Sequence, residues 1–250
     1  MICLKGKTAI VTGGSGGMGQ AIVSTLSQYG ANVVIFDVKV DAAAKIAEQI
    51  KSAGRQALAL KVDITNRSEV QNCYKSIVNN FGSIDILVNN AGVLSNKSLL
   101  NITKADWDKV IAVNMEGPFI TSQLVLPIMM EQKYGRIINI SSVAGKKGPG
   151  HLADTLYAAS KAGLIGLTKG FALEGARNRI TVNAICPGPT ETEMVKEFIN
   201  EKREQIYASV PLGRFGTGQD IANAVAFLAS DLAQFITGEI MDVNGGLLMD

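Results

Sequence analysis

Short, apolar, β-branched runs alternate along this chain with longer segments of helical periodicity, and the runs break off at Gly, Asp or Asn. The pattern predicts strands over residues 8–12, 32–36, 57–62, 84–88, 135–140 and 180–185, and a closing apolar run over 239–243. Helices are predicted over 17–29, 41–52, 67–81, 118–131, 157–176 and 220–229. Strands that are apolar almost throughout, not only on alternate residues, belong to a parallel sheet buried on both faces. Right-handed crossovers then put helices on both sides. The expected fold class is therefore α/β, a single Rossmann-type doubly wound parallel sheet with helices on both faces. No linker, repeat or low-complexity stretch divides the 250 residues, so residues 1–250 are expected to form one domain. The stretch 190–212 breaks the alternation, with Met194, Val195, Phe198, Ile199, Ile206 and Tyr207 standing among many charges. Such an amphipathic segment is either a lid over a substrate site or a surface helix packed on the core.

Several function classes drop out. The formal net charge is only +2 and no basic block or aromatic-basic stripe occurs, which argues against nucleic-acid binding. No apolar run approaches the roughly 20 residues of a membrane helix. The opening Met1-Ile2-Cys3-Leu4-Lys5-Gly6-Lys7 does not read as a signal peptide. Cys3, Cys73 and Cys186 form neither a ligand spacing nor an even disulfide set, so a reducing, cytoplasmic location is expected. A single histidine, His151, argues against a His-based metal site and leaves a Ser-His-Asp hydrolase on one candidate. No metal is expected.

The first strand runs into Thr12-Gly13-Gly14-Ser15-Gly16-Gly17-Met18-Gly19, which opens the first helix. Glycines let the backbone turn tightly and approach a pyrophosphate, while the helix N-terminus offers N–H groups and a positive dipole end. The strand–turn–helix setting is what lifts this above an ordinary glycine-rich loop. Asp37 ends the second strand. A carboxylate there accepts from both adenosine ribose hydroxyls and repels a 2′-phosphate, which favours NAD over NADP. Gly16 and Val38 supply no arginine for that phosphate, though Lys39 is close. The alternative is that Asp37 only caps the next helix or turn. Asp63-Ile64 ends the third strand and Asn89-Asn90-Ala91-Gly92 the fourth. Successive polar strand ends make one cleft, although Asp and Asn are also common turn residues.

With these residues in order, the chain resembles the short-chain dehydrogenase/reductase family along nearly its whole length. The match runs from Thr12-Gly-x-x-x-Gly-x-Gly through Asn89-Asn-Ala-Gly, Asn114, Ser142, Tyr157-x-x-x-Lys161 and Pro187-Gly188 to Asp242-Val-Asn-Gly-Gly246. Tyr157 and Lys161 are four apart on a predicted helix and share a face. A free phenol titrates near 10, and a neighbouring ammonium is expected to lower it. The resemblance implies that Tyr157 is the general acid/base and that Lys161 tunes it and holds the nicotinamide ribose. It implies that Ser142 donates to the substrate oxygen, and that Asn114 keeps the helix geometry and a proton-relay water. It also implies that Thr190, through its backbone, and the Thr192 hydroxyl hold the carboxamide. The bland alternatives are that Tyr157 is a half-buried helix residue, Lys161 a solvated one, and Ser141 and Ser142 both turn residues.

The expected activity is NAD(H)-linked hydride transfer to or from a secondary alcohol or ketone. The alternative is a 3-oxoacyl-thioester reductase, since Pro211-Leu-Gly-Arg-Phe-Gly216 and Phe235-Ile-Thr-Gly238 look much like the acyl-carrier-protein reductases. Those relatives usually prefer NADP, against Asp37, and carry a Gln-x-Asn where this chain has 152–156 without one. Lys146 and Lys147 would meet thioester phosphates or form a solvated turn. A third reading is a non-catalytic dinucleotide-binding subunit, which the complete Asn114, Ser142, Tyr157, Lys161 set argues against. The 142–157 segment looks about two residues longer than in typical relatives, which is expected to reshape the substrate mouth. A helix over 157–176 that is apolar all round suits a subunit contact, and a homotetramer is expected.

Overall fold

The computed structural model describes residues 1–150, 152–192 and 203–249. Seven strands lie in one sheet: β1 (Thr8–Thr12), β2 (Asn32–Asp37), β3 (Ala57–Lys61), β4 (Ile86–Asn89), β5 (Gly135–Ile140), β6 (Ile180–Pro187) and β7 (Ile240–Val243). Their order is β3-β2-β1-β4-β5-β6-β7, and every pairing is parallel. Helices α1 (Gly17–Gln28), α2 (Val40–Ser52) and α3 (Arg67–Phe81) follow the first three strands. After β4 come α4 (Lys104–Ile111), a π turn at Ala112–Glu116 and α5 (Gly117–Gln132). Then follow α6 (Val143–Lys147), α7 (Thr155–Gly175), α8 (Arg203–Ser209) and α9 (Gly218–Ala229).

The apolar strands form a two-faced core because successive side chains point to opposite sides. Across the sheet, Ile35, Val11, Val88 and Ile138 stand in register and face α1, α2 and α9, whose Ile22, Leu26, Ile46, Ile221 and Val225 are buried against them. One residue earlier, Val34, Ile10, Leu87, Ile137 and Val182 form the opposite row. That row packs against Val70, Tyr74 and Ile77 of α3 and Ile120, Val125 and Met129 of α5. The doubly wound parallel sheet expected from the sequence is thus the observed one.

The order reverses between β1 and β4, and sheets of this kind bind ligands beyond the strand C-termini at such a point. The loops after β1, β2, β4, β5 and β6 all open on that edge. No helix among the described residues is long and apolar enough to cross a membrane.

The structure departs from the sequence reading in four places. Helix α4, the π turn and α6 were not predicted. The fourth strand begins at Ile86, two residues later than expected. The reason is Asp85, whose buried carboxylate accepts the Thr8 amide at 2.9 Å and holds Lys7 at 3.3 Å. Within 190–212, Met194, Val195, Phe198 and Ile199 fall outside the described residues, as does His151.

Candidate active site

The glycine loop between β1 and α1 is shaped by backbone contacts that leave no room for side chains. Gly13 has φ +61°, and a Cβ there would lie 2.8 Å from Ala91 Cα. A Cβ on Gly19 would lie 2.1 Å from the Gly13 carbonyl oxygen. The Asn90 side chain locks the loop from the other side, donating to the carbonyls of Thr12 at 3.0 Å and Gly13 at 2.9 Å. Gly16 is the N-cap of helix α1 and offers no side-chain cap, and space beside it is open. A tight, side-chain-free turn leading into uncapped amides fits a dinucleotide pyrophosphate. Gly19→Ala is expected to weaken dinucleotide binding at least ~10-fold, because backbone, not a movable side chain, must yield. Fluorescence titration with reduced dinucleotide reads this directly.

Asp37 sits at the tip of β2 beside this loop. One carboxylate oxygen accepts the Ser15 amide at 3.0 Å and the other the Lys39 amide at 2.9 Å. It therefore holds the loop and closes its own turn, and its remaining lone pairs stay available to hydroxyl donors. Asp63 accepts the amide and hydroxyl of Thr65 at 2.9 and 2.7 Å, a turn within its own segment. The Ile64 side chain is buried against Gly117, where an added Cβ would meet it at 2.5 Å. For Asp63, Ile64 and Asn90, then, the turn and packing roles account for the side-chain contacts seen.

Four other elements meet past the β4 and β5 ends. Asn114 lies in the π turn, fully buried. Its amide nitrogen donates to the Val93 carbonyl at 3.0 Å and to the Ser160 hydroxyl at 3.1 Å, and its oxygen accepts the Val93 amide at 2.8 Å. Lys161, 4% exposed on α7, donates to the Ile140 carbonyl at 2.8 Å and stands 5.8 Å from the Tyr157 ring centre. A Cβ on Gly92 would lie 3.3 Å from Asn114 Oδ1 and 3.4 Å from Lys161 Nζ, so Gly92 lets the two groups share one side of the cleft. Ser141 uses its hydroxyl on the Lys161 carbonyl at 2.9 Å. Ser142 caps α6, accepting the Ala144 amide at 3.1 Å, and its hydroxyl is near enough to the Tyr157 phenol to favour the ionised form.

Ser142 and Tyr157 line a cavity of about 320 Å³. Pro187, Gly188, Thr190, Thr192 and Met18 form its wall toward the glycine loop. Thr192 Cγ2 lies 3.4 Å from where a Gly17 Cβ would be. Leu94, Val143, Leu152, Ile206 and Leu247 make much of the rest apolar. The long 142–157 segment contributes Lys147, Pro149, Gly150 and Ala153, so it does shape the mouth. Lys146 neither reaches into the cavity wall nor forms a solvated turn. It pairs with Asp242 at 2.6 Å.

The electrostatics differ from the sequence expectation. Burial pushes the Tyr157 phenol up to about 12, opposed by the Ser142 hydrogen bond and reinforced by Cys186. Burial also brings Lys161 down to about 8, opposed by Cys186. Desolvation thus sets the direction at the phenol, against the lowering expected from a neighbouring ammonium.

Sequence reasoning missed the residues that hold this constellation. Asp154 caps α7, and Ser160 links Asn114 to the Tyr157 carbonyl at 2.7 Å. Beneath the site, Asn89 donates to Asn139 at 2.8 Å and to Ser122 at 3.0 Å, and Asn139 donates to Thr168 at 2.9 Å. A polar residue inside an apolar strand, as in Ile137-Ile138-Asn139-Ile140, is the signal that was available for these.

A doubly wound sheet with a pyrophosphate-shaped loop, beside a Ser–Tyr–Lys cluster in an apolar pocket, defines a dinucleotide-dependent oxidoreductase. A family model described as enoyl-(acyl carrier protein) reductase matches residues 13–248. The 3-oxoacyl-(acyl-carrier-protein) reductase of Staphylococcus aureus is 43% identical over 244 residues, covering 97% of this chain and 98% of its own. Its counterpart in Escherichia coli is 42% identical over 245 residues, covering 98% of each. The crystal structure of gox2181 superposes with a TM-score of 0.95 at 34% identity, covering 98% of this chain and 97% of that one. The chain belongs to the short-chain dehydrogenase/reductase family. It is an oxidoreductase that uses a nicotinamide cofactor and acts on CH–OH or keto groups.

Proposed function

We propose that the chain reduces 3-oxoacyl thioesters to 3-hydroxyacyl thioesters with NADH. The observation that carries this reading is that Ser142 and Tyr157 line the same largely apolar cavity. Two O–H groups at one point suit a single carbonyl oxygen, which both contact while charge develops on it. Burial keeps the phenol protonated at neutral pH, so Tyr157 is poised to give its proton to that oxygen. Ser142 stabilises the same oxygen, and Lys161 and Asn114 fix the floor of the site. The bound cofactor supplies the hydride. Gly13, Ser15, Gly16, Gly17, Met18 and Gly19 would hold its pyrophosphate, Asp37 its adenosine ribose, and Thr190 and Thr192 its carboxamide.

The thioester reading replaces the broader secondary-alcohol one because relatives over 40% identical along their full length are named 3-oxoacyl reductases. The apolar residues around the cavity suit an alkyl chain. Lys147 is the one charged side chain lining the cavity among the described residues, and its charge suits the phosphates of a thioester's carrier arm. Ile206 and Ser209 of α8, in the described part of 190–212, also line the cavity, which favours a lid role for α8 over a helix packed only on the core. Asp37 supports NADH over NADPH, since a 2′-phosphate would meet a carboxylate there. The reading places the enzyme in the cytoplasm, consistent with free thiols at Cys3, Cys73 and Cys186. It also assembles it as a homotetramer, because α7 leaves Leu173 83% exposed and Phe119 of α5, beside Phe171, is 38% exposed.

The test is a substrate panel containing acetoacetyl-CoA, an acetoacetyl carrier protein and simple ketones, each with NADH and NADPH. Thioester turnover with NADH is expected to lead by at least ~10-fold in kcat/KM. Turnover of simple ketones alone would sink the thioester reading, and NADPH preference would sink the reading of Asp37.

A further inference from the structure

We propose that Asp154 is a positioning residue for the catalytic tyrosine. It is 6% exposed, and its carboxylate is held by neutral donors alone among the described residues. One oxygen accepts the Tyr157 amide at 2.8 Å, as the N-cap of α7. The other accepts the Lys97 amide at 3.0 Å and a short hydrogen bond from the Ser95 hydroxyl. The Asp154 amide in turn donates to the Ser95 carbonyl at 3.1 Å.

The partners give the carboxylate its meaning. Residues 93–97 run as a strap across the cleft. At Val93 the strap is stapled twice to the Asn114 side chain, at 2.8 and 3.0 Å. At Ser95 and Lys97 it is stapled to Asp154. The Lys97 ammonium continues to Asp106 at 2.7 Å, and Asp106 closes the capping box of α4. The first turn of α7 is thereby referenced to the turn that carries Asn114. Tyr157 is the third residue of α7, so the amide that Asp154 holds belongs to the residue whose phenol must meet Ser142. A buried carboxylate accepts from several donors at once, whereas a serine or an amide at this position supplies one acceptor oxygen.

This inference rests on the oxidoreductase site and not on which thioester is reduced. Misplacing a reacting group by about 1 Å costs up to ~10²-fold in rate. Asp154→Ala is expected to lower kcat at least ~10-fold on the best substrate of the panel. The primary isotope effect with deuterated reduced dinucleotide should rise, because proton and hydride transfer become slower relative to release. The dissociation constant for NADH should stay within about twofold, since the glycine loop is untouched. Asp154→Asn keeps an oxygen for the Tyr157 amide but puts an NH2 against the Lys97 amide, so kcat is expected to recover only in part, to a value between the alanine variant and wild type. The proposal is overturned by an alanine variant within about twofold of wild-type kcat, by an asparagine variant as slow as the alanine one, or by NADH affinity lost in step with kcat.

Discussion

Tyr157→Phe is expected to lower kcat by about 10²–10⁴-fold, the range supplied by a positioned general acid. The substitution removes only the oxygen. The ring stays packed among Leu94, Ala144, Ala153 and Ala158, so the fold has no reason to change. Ser142 keeps its bond to the Ala144 amide, and the cap of α6 survives. The glycine loop, Asp37 and the carboxamide side of the cleft are likewise untouched, so NADH affinity should hold within about twofold. That split, slow chemistry with intact binding, distinguishes a proton donor from a packing residue. Tyr74→Phe is the control: Tyr74 is fully buried where Tyr157 is half-buried, and its hydroxyl donates to the Thr121 carbonyl at 3.0 Å, outside the cavity lining. It is expected to leave kcat unchanged. Steady-state reduction of the best panel substrate, with dinucleotide titration of both variants, decides the matter. A Tyr157→Phe enzyme within about threefold of wild type would remove the phenol from the mechanism.

The sheet was legible because its strands are apolar throughout, and the loop because glycines cluster where β1 meets α1. What could not be read were features fixed by partners distant in sequence. Helix α4 is eight residues long and buries only Val110, so few apolar positions mark it. Its one local signal is the Thr103/Asp106 capping box. The five residues of α6 are too few to show any period, and nothing local announces the π turn that carries Asn114. The Ser95–Asp154 contact joins residues 59 apart, and no spacing rule reaches that far. The direction of the Tyr157 shift runs against expectation for the same reason. Sequence shows that Tyr157 and Lys161 are neighbours on a helix, but only packing shows that Lys161 is buried and Tyr157 half-buried in a cavity wall. With desolvation acting on both, proximity alone does not decide the sign.

Lys161→Met tests that conclusion, because it should abolish most activity without weakening the fold. Breaking a buried ion pair usually destabilises strongly, as the remaining partner is left charged and buried. Among the described residues Lys161 has no such partner. Its ammonium donates to the Ile140 carbonyl, and the side chain is 4% exposed. Burial lowers it from 10.5 to about 8, which corresponds to roughly 3 kcal/mol of penalty on the charged form at neutral pH. Methionine removes that penalty and fills similar space, while leaving the Ile140 carbonyl unpaired at a cost of roughly 1–3 kcal/mol. The two nearly cancel, so stability at pH 7 should be unchanged or slightly raised, while kcat falls at least ~10²-fold. The pH dependence fixes the sign. Because the folded value lies below the unfolded one, the wild-type penalty is complete below pH 8 and fades as pH rises toward 10.5. Wild type should therefore gain stability on the variant across that window. Tyr157, pushed up to about 12, is common to both proteins and cancels in the difference. Denaturant unfolding of the pair at pH 7 and pH 10 measures the crossover. A variant that is markedly less stable at pH 7, or a gap that does not move with pH, would mean that Lys161 is held by a compensating charge and that the phenol beside it is tuned differently from the account given above.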